Sequence, residues 1–114
     1  MARFDNDRDI FLELVETYLE MGAPDFPGMK AQLAAGDANR VMQQVHKLKG
    51  GALTIGADEL SVAANGLETF LKSDATLVQK TGPEGNSRLE TVERLWNEMY
   101  ADLVSIREEL RKTT

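Results

Sequence analysis

Apolar positions recur along this chain with a helical period, and the breaks between runs fall on turn-forming residues. Ile10, Phe11, Leu14, Val15, Tyr18 and Leu19 mark one face of a first helix, because residues three and four apart share a helix face. Asp5-Asn6-Asp7 offers cap-type residues and early acidic charge at its start, and Gly22 with Pro24 ends it near Met21. A short second helix is predicted over residues 25–35, buried through Phe26, Met29 and Leu33 and stopped by Gly36. Asp37 caps a third helix whose stripe is Val41, Val45, Leu48, Ala52 and Ile55, and Gly56 breaks it. Asp58 opens a fourth, with Leu60, Ala63, Ala64, Leu67 and Leu71 on one face. Residues 72–86 read as a loop, dense in turn formers at Ser73-Asp74 and Gly82-Pro83-Glu84-Gly85-Asn86, with Leu77 and Val78 expected to pin its middle to the helices. Ser87 with Glu90 three residues on forms a capping box for a long last helix through Leu89, Val92, Leu95, Trp96, Met99, Leu103, Ile106 and Leu110. No segment alternates as a strand would. The predicted architecture is all-α: one domain over residues 1–114, an antiparallel up-down four-helix bundle with an additional short helix.

Composition narrows the classes of function. A net charge of −6 argues against wholesale attraction to nucleic acid or anionic lipid. The absence of cysteine excludes disulfides, thiolate catalysis and cysteine-based zinc sites. No apolar run approaches the roughly 20 residues that span a bilayer, and MARFDNDRD lacks the apolar core of a signal peptide. The expectation is a cytoplasmic monomer that engages neither membrane nor nucleic acid.

The stretch VHKLKGGALTIGADEL, residues 45–60, then raises a question of chemistry. It holds the only histidine, His46, and places Gly50 and Gly51 one turn later inside a helix, where each costs roughly 1 kcal/mol relative to alanine. Projected at about 100° per residue, His46 lies roughly 100–140° from the apolar stripe, towards solvent. Met42, Lys49, Gly50 and Leu53 are its neighbours at i−4, i+3, i+4 and i+7. A glycine at i+4 removes the side chain that would crowd the ring. Lys49, expected to be exposed, can reach an anion on the ring nitrogen, and Lys47 points elsewhere into solvent.

Helices three and four are expected to form an antiparallel hairpin bent near Ala57. His46 and Glu68 are equally distant from that bend, and so are Lys49 and Asn65, so each pair shares a level. A carboxylate that accepts a bond from one imidazole nitrogen fixes the tautomer and leaves the other free as a nucleophile. Imidazoles, with a reference pKa of about 6.5, are largely neutral at pH 7. Phosphoryl transfer asks mainly for positioning and charge cancellation, and this constellation meets the acceptor's half. The chain has no P-loop-type nucleotide motif.

The run His46-Lys47-Leu48-Lys49-Gly50, followed by Ile55-Gly56 and Leu67-Glu68, resembles the histidine phosphotransfer (HPt) domain, as does Leu33-Ala34-Ala35-Gly36-Asp37 upstream. The likeness covers residues 8–72 by motif and the whole chain by helix count. It implies a carrier in a phosphorelay, with His46 as phosphoacceptor, Lys49 as the phosphate-neutralising residue and Gly50 as the access glycine. Glu68 is then the group that orients His46, and Met42, Gly51 and Leu53 join parts of the first two helices in docking the partner. The implied partners are response-regulator receiver domains and a histidine kinase. The chain is expected to hold no cofactor or metal, with Mg²⁺ on the partner receiver. The phosphoacceptor domain of chemotaxis-type histidine kinases is a close relative, matched by Lys49-Gly50-Gly51-Ala52 and Glu68. This sequence departs at Asn65, where those kinases often carry a second histidine, and at Lys47, where many members have a small polar residue. Two other readings stay open: a phosphoacceptor segment served by a separate ATP-binding kinase domain, and a helical interaction module without phosphoryl chemistry.

Overall fold

The computed structural model describes residues 2–112, with side chains from residue 9 onward. It is all helical, with no strand among the described residues: α1 (Ala2–Met21), α2 (Phe26–Ala34), α3 (Ala38–Ile55), α4 (Asp58–Lys72), α5 (Leu77–Thr81) and α6 (Pro83–Lys112).

The chain forms two compact units. One comprises residues 24–96 and the other residues 1–23 with 97–114. In the second, Val15, Leu19 and Leu103 are buried, and Arg111 donates a hydrogen bond of 2.6 Å to Glu16. Ile10 and Phe11, expected on the buried face of α1, are exposed. The helix begins at Ala2, ahead of Asp5-Asn6-Asp7. The capping contact expected of those three side chains lies outside the described residues.

The unit of residues 24–96 is built as its apolar periods direct. Phe26, Met29 and Leu33 of α2, Val41, Val45 and Ala52 of α3, and Leu60, Ala64, Leu67 and Leu71 of α4 are buried, as are Leu89, Val92 and Trp96 of α6. Trp96 meets Phe26 edge-on, with ring centroids 6.2 Å apart, a favoured aromatic geometry. Asp25 and Asp37 cap α2 and α3 by accepting bonds from the amides of Gly28 and Arg40, satisfying donors that a helix start leaves orphaned.

The turn between α3 and α4 sets everything that follows. Gly56 closes α3 at φ 79°, a left-handed conformation costly for residues with a Cβ. The amide of Ala57 then bonds the Ala52 carbonyl at 2.8 Å, and that of Gly56 the Leu53 carbonyl at 3.3 Å, the paired closure of a Schellman turn. The two helices run antiparallel from there, since His46 meets Glu68 and Lys49 meets Asn65.

The segment read as a loop departs from expectation. It contains a second short helix, α5, opened by a reciprocal capping box between Thr76 and Gln79. The last helix begins at Pro83, not at Ser87. Proline suits the first turn of a helix, where its missing N–H has no partner to lose. Position 85 requires glycine, because a Cβ there would collide with the Lys80 carbonyl oxygen. Leu77 and Val78 are both more than half exposed, so neither is buried in the core.

Candidate functional site

Three side chains, His46 and Lys49 of α3 and Glu68 of α4, converge beside Gly50. His46 has its side chain 65% exposed, whereas the Glu68 side chain it meets is only 5% exposed. The His46 Nδ1 and Glu68 Oε2 are 2.5 Å apart. With Glu68 ionised, Nδ1 carries the proton and donates, because a carboxylate only accepts. In the neutral ring Nε2 is then without a proton and free to attack. The sequence placed these two residues at one level of the hairpin; the structure joins them.

Lys49 takes a different place from the one expected of it. Its side chain is 21% exposed, and Nζ donates to Glu68 Oε1 at 2.5 Å and to Asn65 Oδ1 at 3.4 Å. It is a half-buried cation committed to a carboxylate, not an exposed one reaching into solvent. The reason is competition among anions: Glu68 is the fixed negative charge at its level, and charge-assisted bonds are strongest where water is thin. Lys72, four residues beyond Glu68 on α4, holds Nζ at 3.7 Å from Glu68 Oε2 and is 58% exposed.

Glu68 is therefore the centre of a small network. The Lys49 hydrogen bond holds its carboxyl below the usual 4.5, working against burial, which pushes the other way; the His46 bond adds to the lowering. Burial of a carboxylate is costly unless it is paired and hydrogen-bonded, and here both oxygens are engaged.

Gly50 is exposed, and a Cβ built on it meets nothing within 4 Å. The bare patch beside the imidazole is real open space. Gly51 is half-buried and Leu53 exposed. Gly50→Ala should accordingly stabilise the fold by about 0.5–1 kcal/mol, the usual gain of alanine over glycine in a helix. Urea unfolding would measure it, and a loss of stability would show that the glycine is required by packing.

A cavity of about 730 Å³ opens against His46. Arg40, Met42 and Lys47 of α3 line it together with Glu68 and Lys72 of α4. Its α2 edge is tied to α3 by Gln44 donating to Gln32 at 2.8 Å. Lys47, expected to point away, lines this cavity, and Leu53 does not. Arg40 and Lys72 escaped the sequence reading. The i+4 spacing of Lys72 from Glu68 was the available signal.

The Hpt domain family model matches residues 13–106. The chain belongs to the Hpt domain family, which defines its class: histidine phosphotransfer in two-component signalling. Hpt domains interact with receiver domains and histidine kinases in phosphorelays. Neither the curated proteins nor the solved structures gave a match. Among the described residues no helix is long and apolar enough to cross a membrane.

Proposed function

We propose that this chain is a phosphocarrier that takes a phosphoryl group from a receiver aspartate onto His46 and passes it to another. The observation that carries this reading is the asymmetry of the imidazole: Nδ1 is bound to a buried carboxylate while most of the ring faces solvent. In the forward step the Nε2 lone pair attacks the phosphorus of an aspartyl phosphate. The N–P bond forms as the acyl P–O bond breaks, and the electron pair leaves on the partner's carboxylate. No proton needs to move. The ring becomes cationic with its Nδ1 proton in place, and Glu68 stabilises that charge across the hydrogen bond. Gly50 leaves room for the incoming group. Lys49 acts mainly through Glu68, holding the carboxylate ionised and aimed at Nδ1.

The same reading takes the two compact units as parts of one Hpt domain, an antiparallel four-helix bundle that works as a cytoplasmic monomer. The Mg²⁺ that phosphoryl transfer requires is assigned to the receiver. A second reading, the phosphoacceptor segment of a chemotaxis-type kinase, is favoured by the Glu68 contact and by Gly50-Gly51. Labelling by a separate kinase domain with ATP, and by no receiver, would select it.

The test is to incubate the protein with phosphorylated receiver domains and map the label. An acid-labile, base-stable adduct on His46 is expected. A label on any other residue, or an acid-stable one, would remove the proposal.

A further inference from the structure

The cavity beside His46 carries a charge pattern that transfer chemistry alone does not explain. The whole chain has a net charge of −6, yet Arg40, Lys47 and Lys72 line this one cavity. The carboxylate among them, Glu68, is engaged from behind by Lys49 at 2.5 Å. Arg40 has an anion nearby, Asp37, but Nε and Oδ2 are 3.8 Å apart and the two side chains are 66% and 47% exposed; such surface pairs contribute little. Lys47 is exposed, and the long Lys72–Glu68 approach leaves the Lys72 ammonium free to turn outward. Three exposed cations thus edge an open cavity that His46 also lines.

From this charge complementarity we infer that the cavity is the electrostatic half of the docking surface and seats a carboxylate-rich segment of the partner receiver. The inference rests on the phosphocarrier reading and deepens it. It fixes the side of approach: the partner lies along α3 towards Arg40, not towards Leu53, which stands on the same helix beyond Gly50 and outside the cavity. Cations placed around a reacting centre, not on it, act on encounter rate and on choice of partner. An acidic chain gains most from such a patch, because its remaining surface repels acidic partners.

The experiment uses the full chain and an Arg40→Gln/Lys47→Gln variant. The first arm measures transfer from a receiver that labels His46, between about 0.01 M and about 1 M salt, over which the Debye length falls from about 30 Å to about 3 Å. The variant should lose at least about fivefold in kcat/KM at the low-salt end, and the difference should vanish at the high-salt end. A loss that is equal at every salt concentration, or no loss, overturns the inference. The second arm does not depend on phosphoryl transfer. Hexaglutamate should shift the backbone amide resonances of Arg40, Gln43, Lys47 and Lys72 in the wild type and not in the variant, and hexaglutamine should shift neither. Equal shifts from both peptides, shifts confined to the region of Leu53, or stronger shifts from a thymidine oligonucleotide would overturn it. If no receiver labels His46 yet hexaglutamate binds as described, the phosphocarrier reading fails and the acidic-segment site stands.

Discussion

His46→Gln is expected to abolish phosphoryl labelling from every receiver while the protein stays folded. The substitution separates chemistry from structure unusually well at this position. Glutamine retains an amide N–H that can donate to Glu68, so the buried carboxylate keeps a partner on that side. What it lacks is a nucleophilic nitrogen, since the amide lone pair is delocalised into the carbonyl. The ring it replaces is 65% exposed, so little packing is lost, and the stability change should stay within about 1 kcal/mol. Labelling is read by phosphate incorporation, and folding by circular dichroism and urea unfolding on the same sample. Transfer that persists in the folded variant would show that another residue accepts the phosphoryl group.

The second large effect falls on Glu68. Glu68→Ala should cost about 3 kcal/mol, the low end for breaking a buried ion pair, because its partners keep some contact with water. The variant leaves the His46 Nδ1 proton without its carboxylate and the Lys49 ammonium with only the 3.4 Å contact to Asn65. Glu68→Gln keeps shape and one acceptor and should cost less, with slower transfer because the ring is no longer held by a charge. The pH dependence follows from the lowered carboxyl. A group whose folded-state pKa is depressed contributes stability in full above its unfolded value, here near 4.5, and loses it as pH falls through the folded value. The stability gap between wild type and Glu68→Gln should therefore be widest near neutrality and close on acidification below 4.5. Urea unfolding at a series of pH values measures it, and a gap that is constant or widens in acid would contradict the network. Lys49→Ala should also destabilise, because it strips a charge partner from a buried carboxylate. An exposed lysine, as the sequence suggested, would have been lost without cost.

The sequence by itself determined most of the helical frame of this Hpt domain. Apolar period marked α2, α3 and α4 and the buried stripe of α6, while Asp25, Asp37 and Gly56 set boundaries. These signals are local, complete within a turn or two of chain, so they survive without knowledge of the rest. The same holds for the level of His46 and Glu68: once the bend is fixed at Ala57, helical rise places them opposite each other. The box of Thr76 and Gln79 is equally local, but the surrounding density of Gly, Pro and Ser masks it, and Pro83, a breaker inside a helix, serves here as a first helical residue.

Only the tertiary structure decided where the long cations go. Lys49, Lys47 and Lys72 each have four flexible methylenes and several anions or water within reach, and the choice is a competition in free energy between elements distant in sequence. Burial of Glu68 settled it for Lys49, by offering a desolvated carboxylate that outcompetes water. Packing of α2 and α4 against α3 settled it for the cavity, by bringing Arg40 and Lys47 to the same wall as Lys72. A helical period fixes the direction in which a Cβ leaves the backbone, and the end of a long side chain is placed by whatever charges the fold assembles around it.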